Sequence, residues 1–420
     1  MILISIILLL LTLLGAPLFA IIATSAMVGF HRDDTDLMNM ALEIQSIADL
    51  PFLAAIPLFT FAGYVLSESD APKRLVRLTS AMIGWMPGGL ALVALAACAF
   101  FTAFTGASGV TIIALGAILY PALKHDGYDD KFNLGLVTSS GSLGLLFAPS
   151  LPLILYGVIA EVSIDDLFLA GIMPGMVMLA MLSAWSLWVN RHNRRSLASF
   201  SWAETRSALR ESIWEIPLPF VVLGGIYSGY LAVSEAAAVT ALYVLIVEVL
   251  IHREIPLREM PRIIRGSMVL VGGILVILGV SLASTNYMIS AGIPQMLLEY
   301  VSSLVSSPVN FLILLLVFLL VLGAILDIFS AIVLVVPLIL PIAAQYGVDP
   351  VHLGIVFLAA MQLGYMTPPV GLNLFISSYR FEKPIMHVYS ATFPFLIILL
   401  FSVILIAFWP GLSLWLVPGS

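Results

Sequence analysis

Three stretches of this chain set groups able to ligate an ion or hydrogen-bond a solute inside otherwise apolar sequence. The first is Thr105-Gly106-Ala107-Ser108-Gly109-Val110-Thr111. Its small residues let a turn unwind, and its hydroxyls and freed carbonyls suit a hard cation. The second runs from Gly323 to Ser330 and places Asp327 among apolar neighbours. An ionised carboxylate at a helix centre in a bilayer costs about 2.5–3.5 kcal/mol on insertion scales. Asp327 therefore needs a cation, a donor or a water-lined site, or it caps the following helix. The third runs from Gly364 to Ile376 and contains Thr367-Pro368-Pro369-Val370-Gly371-Leu372-Asn373. Two adjacent prolines remove two N–H donors, so carbonyls near Gly364 and Tyr365 lose their helical partners. Hydrocarbon does not tolerate bare carbonyls. This break is expected to face protein or a wet cavity, with Thr367, Gly371 and Asn373 around it.

The third stretch has a counterpart 220 residues earlier. Ser139-Ser140-Gly141-Ser142 leads into Phe147-Ala148-Pro149-Ser150-Leu151-Pro152, whose prolines free carbonyls near Leu145 and Ala148. Pro121, Gly127, Asp129, Leu143-Gly144 and Pro149 recur at a separation of 220 as Pro341, Gly347, Asp349, Leu363-Gly364 and Pro369. Leu134-Gly135 matches Leu353-Gly354 at 219. Small residues also cluster where membrane helices simply pack closely, but two clusters at repeat-related positions favour function. An odd number of full spans separates equivalent points, so the halves are inverted. Inverted repeats with paired broken helices signal alternating-access carriers.

The elements that must hold these stretches are membrane helices. The 420 residues are 61% hydrophobic and 10% charged, with a mean hydropathy of +1.12, against roughly 25% charged in soluble domains. The single cysteine, Cys98, excludes a disulfide framework. A net charge of −7 without a basic, aromatic-flanked cluster argues against nucleic acid. The run from Met1 to Ala23 has no basic leader and reads as a first span. Further full spans are predicted at 51–68, 132–158, 168–190, 213–231, 233–251, 267–288, 352–378 and 387–410. Polar-tipped hairpins are predicted at 88–123 and 308–345, and surface amphipathic helices at 37–49, 71–86, 256–265 and 294–306.

Alternating these spans outward from a cytoplasmic 191–210 puts 16 of the 17 Lys and Arg inside, among them Arg194, Arg195, Arg74 and Lys383; only Arg32 falls outside. The bias predicts the N-terminus in the cytoplasm and the C-terminus outside. It does not distinguish a re-entrant hairpin from two full spans. The expected fold is an all-α polytopic membrane protein of two inverted repeats with re-entrant hairpins and broken helices. Its parts are 1–87 (scaffold helices and arm of the first repeat), 88–190 (hairpin, broken helix and following span), 191–307 (linker, extra span and second scaffold) and 308–420 (second hairpin, broken helix and last span).

Gly106-Ala107-Ser108-Gly109 also matches the G-x-S-G pattern of intramembrane serine proteases. Such a serine needs a base within reach, and all six histidines fall in predicted loops or at span ends. The chain is therefore expected not to be an enzyme. Glu235 reads as a solvated helix cap, and Trp85, Trp202 and Trp214 as interfacial aromatics.

The chain resembles the large membrane subunit of the tripartite ATP-independent periplasmic (TRAP) transporters. The residues that carry the likeness are Pro57 to Gly63, Gly88-Gly89-Leu90, Gly225-Ile226-Tyr227-Ser228-Gly229, Glu235 to Val239 and Thr367 to Asn373. The resemblance implies a Na⁺-coupled elevator importer of the bacterial inner membrane, with no cofactor beyond the coupling ion. Its substrates are C4-dicarboxylates, sialic acid or similar organic anions. It also implies two partners: a small four-helix membrane subunit, expected here as a separate polypeptide, and a periplasmic substrate-binding protein. Carried over by position, one Na⁺ site lies among Thr105, Gly106, Ser108, Gly109, Ala148 and Pro149. A second lies among Asp327, Ser330, Thr367, Pro368 and Gly371. Ser108, Ser150, Thr367 and Asn373 face substrate between the tips. Relatives often read Gly-x-Ser-Gly-Ser-Ala at the first tip, where this chain has Val110-Thr111 after Gly109.

Overall fold

A computed structural model describes residues 16–32, 36–47, 50, 53–86, 88–191, 200–305 and 307–418, with Ile7, Leu8, Leu10, Leu11 and Leu14 before them. Among the described residues every regular element is a helix. In chain order the helices are α1 (Leu18–Arg32), α2 (Met38–Ser46), α3 (Ala55–Glu68), α4 (Ala71–Ile83), α5 (Gly89–Thr105), α6 (Ser108–His125), α7 (Asp130–Ser140), α8 (Leu151–Ala160) and α9 (Ile164–Val189). Then come α10 (Trp202–Glu211), α11 (Pro217–Tyr227) and α12 (Val233–Leu245), the last continued by a π turn over Ile246–Ile251. The chain continues as α13 (Met260–Ser290), α14 (Ile293–Leu304), α15 (Pro308–Ile325), α16 (Ile328–Gln345), α17 (Pro350–Gly364), α18 (Leu372–Arg380), α19 (Ile385–Phe408) and α20 (Gly411–Leu414). Among the described residues seven helices are long and apolar enough to cross a membrane.

The repeat is visible in the helix boundaries. α5 ends at Thr105 and α15 at Ile325; α6 runs from Ser108 to His125 and α16 from Ile328 to Gln345. Each pair of ends is 220 residues apart. The caps repeat as well. Asp129 accepts hydrogen bonds from the Lys131 and Phe132 amides at the start of α7, and Asp349 does the same for Val351 and His352 at α17. Gly127 and Gly347, at φ 78° and 75°, turn the chain between hairpin and broken helix in each half. The halves are two inverted repeats, each with a re-entrant hairpin followed by a broken helix. Their broken helices meet in the core, where the buried Tyr156 hydroxyl donates to Pro350 O at 2.8 Å.

Three expected elements differ in detail. Most residues before 16 lie outside the described set, and the first described full helix extends to Arg32 rather than ending at Ala23. Residues 51 and 52 lie outside it too, as do Arg194 and Arg195. The span expected at 213–231 is helical only over Pro217–Tyr227. Proline opens it, and Gly229 at φ 73° closes it. The surface helix expected at 256–265 is no separate element. Pro261 sits in the first turn of α13, where a missing N–H costs nothing, and no further proline follows before Ser290. The amphipathic turns therefore continue into the span.

Candidate functional site

The first hairpin reverses at Gly106 and Ala107. Gly106 sits at φ 63° and donates its amide to Thr102 O at 2.8 Å. A Cβ there would lie 2.7 Å from Leu151 of the first break, so only glycine lets tip and break close up. Ser108 then starts α6. Its hydroxyl, 4% exposed, donates to Asn373 Oδ1 at 2.7 Å. Asn373 is fully buried, and its Nδ2 donates to Thr138 O at 3.4 Å. The Thr138 hydroxyl lies 2.8 Å from Ser377 Oγ. One polar chain therefore joins the first tip, the helix leading into the first break and the helix leaving the second.

A second polar knot lies behind this tip. Thr102 Oγ1 is 2.9 Å from Gly141 O, 2.8 Å from Cys98 O and 2.7 Å from Thr111 Oγ1, with Thr105 Oγ1 3.5 Å from Thr111. Thr102, Thr105 and Thr111 are fully buried. A hydroxyl has a single proton to donate, so oxygens outnumber protons here, as suits a hard cation. At the first break, Ala148-Pro149 is a cis bond, as is Pro368-Pro369 at the second. Ser150 Oγ is buried and has no hydrogen-bond partner.

The second tip is more open. Asp327 is exposed and caps α16, accepting from the Phe329 and Ser330 amides at 3.0 Å and from Ser330 Oγ at 2.5 Å. The capping role is thus realised. Tyr365 OH accepts the Ile328 amide at 2.7 Å, and the Gly371 amide donates to Ala324 O at 3.2 Å. These bonds tie tip to break. The carbonyls expected to be free are partly used: Thr367 N donates to Gly364 O and Asn373 N to Tyr365 O. Each carbonyl keeps a second lone pair. Thr367 Oγ1 donates back to Leu363 O at 3.1 Å, while Pro368 and Pro369 are exposed. Gly323 and Gly364 pack backbone to backbone, and a Cβ on Gly364 would come within 2.6 Å of Gly323.

The hairpin's far arm is fastened separately. Tyr120 OH donates to Asp130 Oδ1 at 2.6 Å, Lys383 Nζ donates to Asp130 Oδ2 at 2.9 Å, and the Phe381 ring packs tilted by 30° against Tyr120, centroids 4.8 Å apart. The Asp130 hydrogen bond raises the Lys383 ammonium above the usual lysine range. Thus Ser108, Asn373 and the Thr105 neighbourhood come together on one side, with Asp327, Ser330 and Gly371 at the other tip. Sequence reasoning missed Thr102, Thr138 and Ser377, which lie one or two turns from a tip or break; Thr111 belongs to the first tip stretch. Ser108 is paired with Asn373 rather than a base. His352 lies at a span end, in the first turn of α17, and is buried there, its ring nitrogens 3.1 Å from Ser413 Oγ and 3.3 Å from Ala407 O.

Residues 3–412 match the family described as tripartite ATP-independent periplasmic transporter, DctM component. The chain belongs to that family. It is 32% identical over 402 residues to the C4-dicarboxylate TRAP transporter large permease of Rhodobacter capsulatus, covering 92% of this chain and 91% of the relative. It is 30% identical over 414 residues to the ectoine/5-hydroxyectoine large permease of Ruegeria pomeroyi, covering 97% and 96%. Among solved structures, the YdaH transporter of Alcanivorax borkumensis aligns over 90% of this chain and 88% of its own, with a TM-score of 0.59 and 12% identity. That likeness bears on fold alone. A TRAP large permease is a transporter subunit, and the hairpins and breaks above are its polar interior.

Proposed function

We propose that this TRAP large permease imports a small organic acid by Na⁺-coupled alternating access, sliding its hairpins and broken helices against the remaining scaffold helices. The observation that carries this reading is the Ser108–Asn373 bond. It brings a hairpin tip of one repeat onto the break of the other, where a single site can be exposed to either side in turn. Thr105, Gly106, Ser108, Gly109, Ala148 and Pro149 form the first Na⁺ site, joined by Thr102 and Thr111. Asp327, Ser330, Thr367, Pro368 and Gly371 form the second. Ser108, Ser150, Thr367 and Asn373 bind substrate, and the unpartnered Ser150 hydroxyl supports that role. These groups supply hydroxyls, carbonyls and one carboxylate, the oxygen set a hard cation prefers. The reading includes a small membrane subunit and a periplasmic binding protein as partners, and the bacterial inner membrane as location. Labelled organic acids presented to proteoliposomes holding this chain and its small subunit test it. Uptake should require both an inward Na⁺ gradient and the binding protein. Uptake indifferent to Na⁺ would overturn the coupling, and uptake without the binding protein would make the chain a stand-alone symporter.

A further inference from the structure

The arm helix α4 uses its two arginines differently. Arg74, 4% exposed, is buried against Glu215, Glu248 and Glu254, with His252 beside them. Arg77 is exposed and fastens α10 along the outside of α4. Its Nε donates to Glu204 Oε1 at 2.9 Å and its Nη2 to Ser207 Oγ at 3.2 Å, and Nη1 pairs with Glu211. Thr205 Oγ1 adds a bond to Ala81 O at 3.2 Å. Between α4 and the start of α10 lies a cavity of about 230 Å³, lined by Arg77, Ser80, Trp85, Phe200, Ser201 and Glu204.

The lining decides what this cavity accepts. Each nitrogen of Arg77 is already engaged, and two carboxylates against one guanidinium leave one negative charge in excess. An anion is therefore disfavoured. Glu204 binds Arg77 through Oε1, and its other oxygen keeps lone pairs for a donor. The hydroxyls of Ser80 and Ser201 are further acceptors. Trp85 spends its N–H on Met82 O at 2.9 Å, so its contribution to the cavity is the ring. Trp85 and Phe200 stand edge to face at 71°, centroids 6.3 Å apart, and two aromatic walls of this kind attract a cation.

We propose that this corner binds a primary ammonium, carried by the headgroup of an aminophospholipid. The aromatic faces stabilise the charge, while Glu204 and the hydroxyls accept its N–H groups. The surroundings point to a lipid as the carrier. Met82, Trp85, Phe200 and Trp202 are exposed around the cavity, as on helices that lie in a membrane interface. Arg206 and Arg210, exposed on α10 and outside the lining, suit the phosphates of the same surface. A headgroup seated here touches both helices and reinforces the joint that Arg77 makes.

The test is native mass spectrometry of the full chain released from micelles containing phosphatidylethanolamine, phosphatidylglycerol or phosphatidylcholine. The wild type should retain phosphatidylethanolamine about tenfold more strongly than either of the others, since the glycerol headgroup carries no cation and choline has no N–H to donate. Ser80→Trp fills the cavity and leaves the partners of Arg77 in place; Glu204→Gln keeps an acceptor for Arg77 and removes the charge. Both should lose the preference. The same preference in wild type and Ser80→Trp would overturn the proposal, as would equal retention of phosphatidylcholine. Displacement of the lipid by free ethanolamine would overturn the lipid as carrier. Should neither variant fold, crosslinking of a photoactivatable phosphatidylethanolamine to the wild type decides instead. Label should concentrate on residues 80–85 and 200–204; label spread evenly over the lipid-facing helices overturns the proposal.

Discussion

At Asn373 one amide side chain serves two helices, accepting from Ser108 and donating to Thr138 O. Removing it leaves the buried Ser108 hydroxyl without its acceptor, a cost of about 1–3 kcal/mol. Asn373→Ala should therefore cut uptake by tenfold or more while insertion and expression stay normal. Ser150 offers a contrast. Its hydroxyl has no partner to lose, so Ser150→Ala should leave the melting temperature unchanged and raise the substrate KM; an unchanged KM would remove Ser150 from the site. Ser108→Ala should shift the Na⁺ dependence of uptake without abolishing it. These residues were legible because polar side chains stand out in apolar sequence. Thr102 was not, because a threonine inside a membrane helix can satisfy its hydroxyl on its own carbonyls, as Thr102 does on Cys98 O. What distinguishes it is the contact to Gly141 O, which exists only after folding.

Helix boundaries, caps and breaks were the most legible features, since proline, glycine and aspartate act locally and the repeat states each of them twice. The boundary at 256–265 was misread because an amphipathic turn and the head of a spanning helix have the same pattern when no breaker divides them. The approach of α15 to α17 depends on Gly323 and Gly364. Gly364→Val should push the second tip from its break, lowering both thermal stability and uptake, whereas Gly347→Ala, with open space around its Cβ and a left-handed φ of 75°, should cost stability alone. Arg74 sits at another joint. Arg74→Met leaves Glu215 and Glu248 buried without their cation, a loss of roughly 3–5 kcal/mol, and the double variant with Glu248→Gln should recover part of it in unfolding experiments. This cluster was invisible in the sequence, because its members are drawn from residues 74, 215, 248, 252 and 254 and only the fold assembles them.

For the whole molecule, sequence reached furthest, since composition and the 220-residue repeat both report on global architecture. The family match over residues 3–412 agrees with that reading. Substrate identity was not legible, because the proposed site consists of hydroxyls, an amide, one carboxylate and backbone, groups that suit many solutes, and the chain's relatives are named for solutes as different as C4-dicarboxylates and ectoine. The central claim is that the tips and breaks of two inverted repeats make one transport site. Its most direct test is Na⁺-driven uptake by proteoliposomes with the small subunit and binding protein, comparing wild type, Asn373→Ala and a variant with Pro368 and Pro369 replaced by alanine. The account predicts robust uptake by the wild type and near-background uptake by both variants at equal amounts of folded protein. Wild-type rates in both variants would contradict it.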